Sequence, residues 1–558
     1  YSTNLAFRLA KEKKQLPAQV AAELVERIQQ HAPKGFFEKV EVAPPGFINF
    51  WLANETLHKV FEAITKKKEN YGAGTDGEGK TVIIEYSQPN IAKRMHVGHL
   101  RTTIIGDALA NLHEFLGYKV IRWNYLGDWG TQFGKLIAAY KAWGSEAIVK
   151  KDSIATLMDL YIRFHDEAKK DPSLERRGQD EFRKLEEGDK ENRALWEWFK
   201  KESLKEFEKM YRTLGVHFTT YDGESALEHE LKPLIAELKE KGIARESEGA
   251  IVVPLGEGRP PALIQKSDGA SLYLTRDIAS VRYRIKTYKP EKIVYVVGNE
   301  QTLHFEQLFA VAKILGMDSA ELIHAKYGLV LGEDGKKLAT REGRTVALQE
   351  VVTKALELAR AVVDEKNPEL SEKEKMEIAE TVGIGALKYN DLKEHRHSDI
   401  IFNWKQMLDF SGDSAPYLQY TYARLKSIIG KAGSVGKFDV GCLEGDVELA
   451  LMRKIMEFPD VVKESADALL TNRLATYLYG LAVGANKLYE TTPILKDEDD
   501  RRRNARLILI ETVATVLKNL TREPLRITIA SRLPLGCGFG LSGASALATA
   551  YAVNELLS

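Results

Sequence analysis

Residues 81–107 read TVIIEYSQPNIAKRMHVGHLRTTIIGD, and the rest of the chain is organised around them. Val82, Ile83 and Ile84 form a β-branched apolar run of the kind found in a buried parallel strand, and Pro89-Asn90 cannot continue it. From His99 onward the apolar residues Leu100, Ile104, Ile105 and Ala108 recur at helical spacing, so the segment predicts strand, turn, helix, with His96-Val97-Gly98-His99 at the helix start. A helix start presents free N–H groups and the positive end of the dipole to an anion. Gly98, lacking a side chain, leaves a floor for a flat base or ribose. His96 and His99, three apart, project from one face toward a triphosphate. Two donors over a bare floor suit ATP. The plainer alternative is a pair of histidines capping an ordinary helix; a metal pair has no third and fourth ligands nearby.

Composition sets the frame. The 558 residues are enough for three or four domains, and 44% hydrophobic content supplies cores for them. Lys+Arg 80 against Asp+Glu 80 announces no nucleic-acid binder, so any basic surface must be local. The two cysteines, Cys442 and Cys537, are far apart without a Cys-x-x-Cys, which excludes a zinc ribbon or disulfide scaffold and fits a reducing cytosol. No leader or membrane-spanning stretch is visible, and a soluble cytoplasmic protein is expected. The chain opens at Tyr1 inside a helical pattern, LAFRLAKEKKQ, so a preceding piece is expected to be missing.

Taken in order, residues 1–75 combine two helical patterns with a strand pair around VEVAPPGFINFWL, a small α+β unit with no catalytic constellation of its own. KKKENYGAGTDGEGK (66–80) reads as a linker whose lysines form a solvated face. Strand-like KVIRW (119–123), SLYLT (271–275) and KIVYVVG (292–298) are each followed by helical patterns, which predicts an α/β, doubly wound parallel sheet with ligands at the carboxyl ends of its strands. Residues 141–241 predict an inserted helical layer with Trp196, Trp198 and Phe199 in its core. From 403 to 519 the pattern is almost wholly helical, an all-α bundle.

SQPNIAKRMHVGHLRTTIIGDALA resembles the HIGH signature of class I aminoacyl-tRNA synthetases, and with NYLGDWGTQFG (124–134) it is similar to the arginyl-tRNA synthetases in particular. The resemblance implies a Rossmann-like catalytic domain at 76–400 and a helical anticodon-binding domain at 401–520. YSTNLAFRLAK and PGFINF look like the appended N-terminal domain of that family, which touches the tRNA elbow. The implied reaction is tRNA-dependent activation of L-arginine by ATP with Mg2+, the metal held by the phosphates rather than by the protein. The arginyl group then passes to tRNA(Arg), and the enzyme acts as a monomer.

Activation drives a carboxylate onto the α-phosphate, so charge builds on phosphorus and on departing pyrophosphate, and fixed donors must meet it. By resemblance, His96 and His99 supply them from one side, with Gly98 as the floor. The KMSKS position is GKKLATREGRT (335–345), where Thr340 replaces the second lysine. The same resemblance gives the missing charge to Lys93 and leaves Lys336, Lys337 and Arg341 as loop contacts. An arginine pocket needs carboxylates for a permanently charged planar fork. Glu85 and Asp277 fill that role, with Asn90 on the amino acid's polar end, Tyr273 as aromatic wall and Gln301 as a further polar contact. Such a pocket discriminates by binding alone, without an editing domain. In SGDSAPYLQYTYARLKS, Tyr417, Tyr420 and Arg424, with Tyr489, are the implied anticodon contacts; residue types alone make these tyrosines core.

The resemblance stops near 520. LPLGCGFGLSGASALATA (533–550) instead resembles the phosphate loop of GHMP-type kinases, especially archaeal pantoate kinase. About forty residues are too few to form such a kinase, so the tail (521–558) is expected to carry no kinase activity and to leave the bundle imperfectly closed. The rival functions are a non-catalytic tRNA-binding relative, a small-molecule kinase fragment and a generic HxGH adenylyltransferase. Intact pocket residues speak against the first, and the helical bundle against the last.

Overall fold

The computed structural model describes residues 2–256, 258–267, 272–332, 334–336 and 346–522, the last three as backbone only. Strand Thr81–Glu85 lies in a four-stranded parallel sheet, with Lys119–Trp123 on one side and Lys292–Tyr295 then Glu321–His324 on the other. Alternation along the strands feeds two layers. Ile83, Ile121, Trp123, Ile293 and Tyr295 face helices Glu228–Glu240, Tyr273–Tyr288 and Thr302–Ile314. Val82, Ile84 and Val294 face helix Val97–Phe115 through Leu100, Ile104 and Ile105. Both faces are covered, which is why 82–84 and 293–296 read as unbroken apolar runs. Register sets Glu85 level with Trp123 and with Tyr295, so the carboxylate at the strand end emerges between two aromatic rings on the carboxyl edge.

The expected strand at 271–275 does not form. Residues 273–275 are the first turn of helix Tyr273–Tyr288, and Leu274, Ile278 and Val281, at helical spacing, are its buried stripe. The nearby strand is Ala262–Gln265, which closes a small antiparallel sheet with Arg245–Ser247 and Ala250–Val253. Thr275 Oγ1 donates to the Ile264 carbonyl and ties the helix start to it.

The insertion is helical, and Trp196 and Phe199 are buried in it with Trp198 packed alongside. At the N-terminus, strand Phe47–Leu52 pairs antiparallel with Ser2–Thr3 and Phe37–Ala43 beneath helices Leu5–Lys13 and Pro17–His31, around Ala6, Ala10, Val20, Ala21 and Ile48. The next helix, Asn54–Lys67, absorbs the first two residues expected in the linker. It packs Leu57, Phe61 and Ile64 into the large core shared with the C-terminal helices Ala415–Ala432, Asp446–Met456, Phe458–Asp467, Thr471–Thr491 and Asp500–Arg522. Among the described residues, no helix is long and apolar enough to cross a membrane.

Candidate active site

The loop between strand and helix is held in an unfavourable shape. Ser87, Gln88 and Ala92 adopt φ of 77°, 50° and 59°, a left-handed conformation that costs a non-glycine residue on the order of 1–3 kcal/mol. Buried hydrogen bonds enforce it. The Ser87 N–H donates to Thr102 Oγ1 (3.1 Å), Gln88 N–H to Asn124 Oδ1 (3.2 Å) and Ala92 N–H to Ser203 Oγ (2.9 Å), while Ser87 Oγ meets Tyr211 OH at 2.7 Å. The inserted layer therefore supports the loop from outside the sheet.

The helix start differs from expectation in an instructive way. His96 is the N-cap, and its Nδ1 accepts the Gly98 N–H (3.1 Å); His99 Nδ1 accepts the His96 N–H (3.0 Å). The Val97 N–H donates to Val346 O (3.0 Å) and the His99 N–H to His96 O (2.8 Å). No N–H of this first turn is left for an anion. The floor at Gly98 is likewise taken: a Cβ there would lie 2.9 Å from His96 Cε1, so the glycine makes room for the folded-back imidazole. Because both Nδ1 atoms accept, each neutral ring carries its proton on Nε2, and the donors offered at this helix start are imidazole rather than backbone.

Burial, and then the neighbouring His96, pull His99 down to about 3, so it stays neutral across the physiological range. The unfolded chain therefore binds a proton that the folded chain does not between about pH 6.5 and about pH 3, and acidification through that window favours unfolding. Thermal unfolding against pH should show the wild type losing more stability on acidification than His99→Asn; parallel curves would remove His99 from the linkage.

Residues 337–345 lie outside the described residues, and with them Lys337, Thr340 and Arg341; described residues on either side are tied by backbone hydrogen bonds. Before them, Gly332 N–H donates to Lys336 O (2.8 Å) and Gly335 N–H to Gly332 O (2.9 Å), a tight hairpin start that carries Lys336. After them, Val346 meets Val97 and the Leu348 N–H donates to Met95 O (2.9 Å). Arg101, fully buried on helix Val97–Phe115, pairs with Asp391 of helix Glu372–Leu392 (Nε–Oδ2 3.1 Å). It also donates from Nη1 to the carbonyls of Gly328 (2.8 Å) and Ser398 (3.0 Å). One helix thus carries the histidines and anchors both flanks of the loop. Lys93 is exposed nearby, its Nζ 5.9 Å from the ring of Tyr161 on helix Ser153–Lys170.

Beside this lies a cluster of acids, Glu85, Asp277 and Glu224, whose charges act on one another. Glu85 is buried and already paired: Oε2 with Arg284 Nη2, and Oε1 accepting from Gln88 Nε2 (2.9 Å). The Arg284 guanidinium sits 4.3 Å from the Trp123 ring centre and 5.6 Å from that of Tyr295. Burial raises the Glu85 carboxyl, Arg284 pulls it back, and Asp277 adds to the rise. Asp277, half-buried, contacts His304 Nε2 at 2.6 Å.

Two contributors escaped the sequence reading. Glu224, buried in the turn Glu224–Leu227, is pushed up to about 7, by burial first, with Arg276 opposing and Asp277 and Asp128 adding. Asp128, fully buried, holds that turn by accepting the Ser225 N–H (2.9 Å) and Oγ–H (2.8 Å) while pairing with Lys200 (2.6 Å). Nothing local in YDGESAL marks Glu224; Asp128 lies inside the GDWG stretch without a visible role.

Asn90 is exposed at the same edge, its side chain against Gly127, where a Cβ would fall 2.0 Å from Oδ1. Gln301 is exposed in the turn that follows strand Lys292–Tyr295, and Tyr273, 62% exposed, stands at its helix start. In the C-terminal helices Arg424 lies between Tyr420 (4.6 Å) and Tyr489 (4.9 Å) and donates to Asn486 Oδ1 (2.7 Å), while Asn486 Nδ2 donates to Tyr417 OH (2.9 Å). The four residues come together, but Tyr420 is buried among them, as residue type alone suggested.

A loop tied by its backbone to a helix that its own HxGH histidines cap, on the carboxyl edge of a parallel sheet, is the arrangement of a class I aminoacyl-tRNA synthetase. The family model described as tRNA synthetases class I (R), catalytic domain, matches residues 60–404. Those for the DALR anticodon binding domain and the arginyl tRNA synthetase N terminal domain match 418–525 and 1–52. Arginine–tRNA ligase 1 of Bacillus cereus is 44% identical over 517 residues, 92% of this chain and 90% of that protein, and the Clostridium acetobutylicum arginine–tRNA ligase is 43% identical with the same coverage. The Thermus thermophilus arginyl-tRNA synthetase structure matches with TM-score 0.79 at 27% identity, covering 94% of this chain and 93% of that one. The Plasmodium falciparum enzyme matches with 0.78 at 28%, covering 94% and 91%. The chain belongs to the arginyl-tRNA synthetase family. Mycobacterium tuberculosis methionyl-tRNA synthetase, 13% identical with TM-score 0.52 and covering 80% and 92%, shares the fold alone. A GHMP kinases N terminal domain model matches 508–558, overlapping the end of helix Asp500–Arg522; the tail beyond 522 lies outside the described residues.

Proposed function

We infer that this chain is an arginine–tRNA ligase: the L-arginine carboxylate attacks the ATP α-phosphate to give arginyl-adenylate and pyrophosphate, and a terminal tRNA(Arg) hydroxyl then takes the arginyl group, releasing AMP. Family membership supports the reaction, and the observation that carries the amino-acid specificity is the acidic cluster beside the histidine-capped helix. Asp277 and Glu224 accept the guanidinium, whose permanent charge counters the burial that otherwise raises Glu224. Glu85, occupied by Arg284, adds negative potential. Asn90 and Gln301 meet the α-amino and carboxylate end, and Tyr273 walls the stem.

His96 and His99 present Nε2–H to the phosphates of Mg2+-bound ATP, with Gly98 keeping the His96 ring folded. Lys93, Lys337 and Arg341 supply the remaining positive charge as pyrophosphate departs. Tyr417 and Tyr489 stack on anticodon bases, and Tyr420 and Arg424 brace them. The work is that of a cytoplasmic monomer.

Replacing Asp277 by Asn should weaken L-arginine binding roughly ten- to a hundredfold, the loss of a charge-assisted hydrogen bond. Calorimetric titration showing unchanged affinity would take Asp277 out of the pocket. Lys93→Ala should slow adenylate formation far more than it weakens ATP binding, because its charge is needed as the leaving group separates. A rise confined to the ATP KM would make Lys93 a ground-state contact only.

A further inference from the structure

The acidic cluster contains a titratable partner of its own. His304, in the first turn of helix Thr302–Ile314, sets Nε2 2.6 Å from Asp277 Oδ2, and the two side chains are 24% and 23% exposed. They lie on separate helices, so the contact is made by the fold rather than by local sequence. We propose that His304 is a positioning residue for arginine recognition: before substrate binds it holds the Asp277 carboxylate in place as an imidazolium, and it releases its proton when the substrate guanidinium takes the carboxylate. The proposal rests on Asp277 being the guanidinium acceptor.

A carboxylate flanked by other acids needs something to hold it. Glu85 from the central strand and Glu224 from the neighbouring turn both interact unfavourably with Asp277, and the Tyr125 and Tyr295 hydroxyls feel its charge as well. Arg284 faces Glu85, and among the described residues His304 is the titratable base in contact with Asp277. Burial opposes charge on His304, yet Asp277, and then Glu85, outweigh it and raise its proton affinity above the ordinary value. His324, packed on Phe305, is held down to about 4, first by burial, so it is neutral.

A guanidinium never deprotonates, whereas an imidazolium does so near neutrality. When both approach one carboxylate, the imidazolium is the one that gives way. Arginine binding therefore expels a proton, and affinity falls as pH drops through the raised His304 value. Glu224, pushed up to about 7, changes arginine affinity with the same sign, so the pH profile of the wild type does not isolate His304, and variants are needed.

L-arginine is titrated calorimetrically into the full chain at about pH 6 and about pH 8, in buffers of differing ionisation enthalpy. The proteins are wild type, His304→Gln, His304→Leu and Asp277→Asn, with ATP titrated in parallel. Glutamine keeps an N–H donor toward Asp277 but has no proton to release. His304→Gln is expected to bind arginine within about threefold of wild type at the higher pH and to release less proton. His304→Leu should bind about tenfold more weakly, the order of effect seen when a ligating side chain loses its orienting partner, with ATP affinity unchanged. Wild-type arginine affinity in the leucine variant, unaltered proton release in the glutamine variant, or equal losses for arginine and ATP would each overturn the proposal. If Asp277→Asn itself leaves arginine affinity unchanged, the pocket assignment fails instead. If Asp277→Asn weakens binding and the His304 variants do not, the positioning role alone is wrong.

Discussion

Replacing His96 by asparagine should lower arginyl-adenylate formation by about 10²–10³, the usual cost of removing one preorganised donor from a developing charge, and leave thermal stability nearly unchanged. The substitution separates two roles that the imidazole combines. As N-cap, His96 accepts the Gly98 N–H at Nδ1 (3.1 Å), and asparagine is among the best residues for that task. What asparagine lacks is the Nε2–H, the donor that the proposed function assigns to the ATP phosphates. His96→Ala loses both roles and should in addition cost about 1 kcal/mol of stability. Arginine-dependent pyrophosphate exchange in the presence of tRNA measures the first effect, and thermal unfolding the second. An asparagine variant that exchanges at the wild-type rate would leave His96 as a cap and nothing more.

The second large effect is structural in origin. Asp391→Ala is expected to destabilise the catalytic domain by about 3–5 kcal/mol, because it strands Arg101 in the core without its counter-charge. Burial raises the Asp391 carboxyl while Arg101 pulls it down, and each group is tolerable inside only with the other. Replacing both residues by leucine removes the uncompensated charge and should recover most of the stability, since an apolar pair of similar volume is often no worse than a buried ion pair. Activity should not recover with it. Arg101 also fastens the Gly328 and Ser398 carbonyls at the base of the loop that carries Lys336, and leucine makes no such bonds. Urea unfolding and pyrophosphate exchange on both variants test this. A single variant within about 1 kcal/mol of wild type, or a double variant with full activity, would show that the buried pair does not anchor the loop.

Much of this molecule is written locally. The β-branched run at 82–84 had to be a strand covered on both faces, and the stripe from Leu100 to Ala108 a helix packed against it. His96 and His99, three apart at a helix start, had to meet each other and the backbone, because capping depends on residues within one turn. Residue type also placed Trp196 and Phe199 in the core of the insertion. Local pattern failed where it was ambiguous: SLYLT alternates like a strand, but its second leucine, Leu274, is the first of a stripe that continues through Ile278 and Val281, and only the extra turns reveal the helix. It failed again at the first-turn N–H groups, which a helix start leaves open in general but which the histidine rings and Val346 satisfy here.

What no stretch of sequence contained is which charge answers which. Glu85 and Asp277 are both acids at the right edge of the sheet, and by themselves they look equivalent. Register sets Glu85 between Trp123 and Tyr295, where Arg284 from another layer pairs with it, while Asp277 faces His304 and the turn bearing Glu224. Residue type and spacing determine where a chain turns, coils or buries a face, because those choices are settled within a few residues. The charge state of a buried acid depends on every group within several ångströms, and those neighbours come from distant parts of the chain only once the sheet and its helices have closed around it.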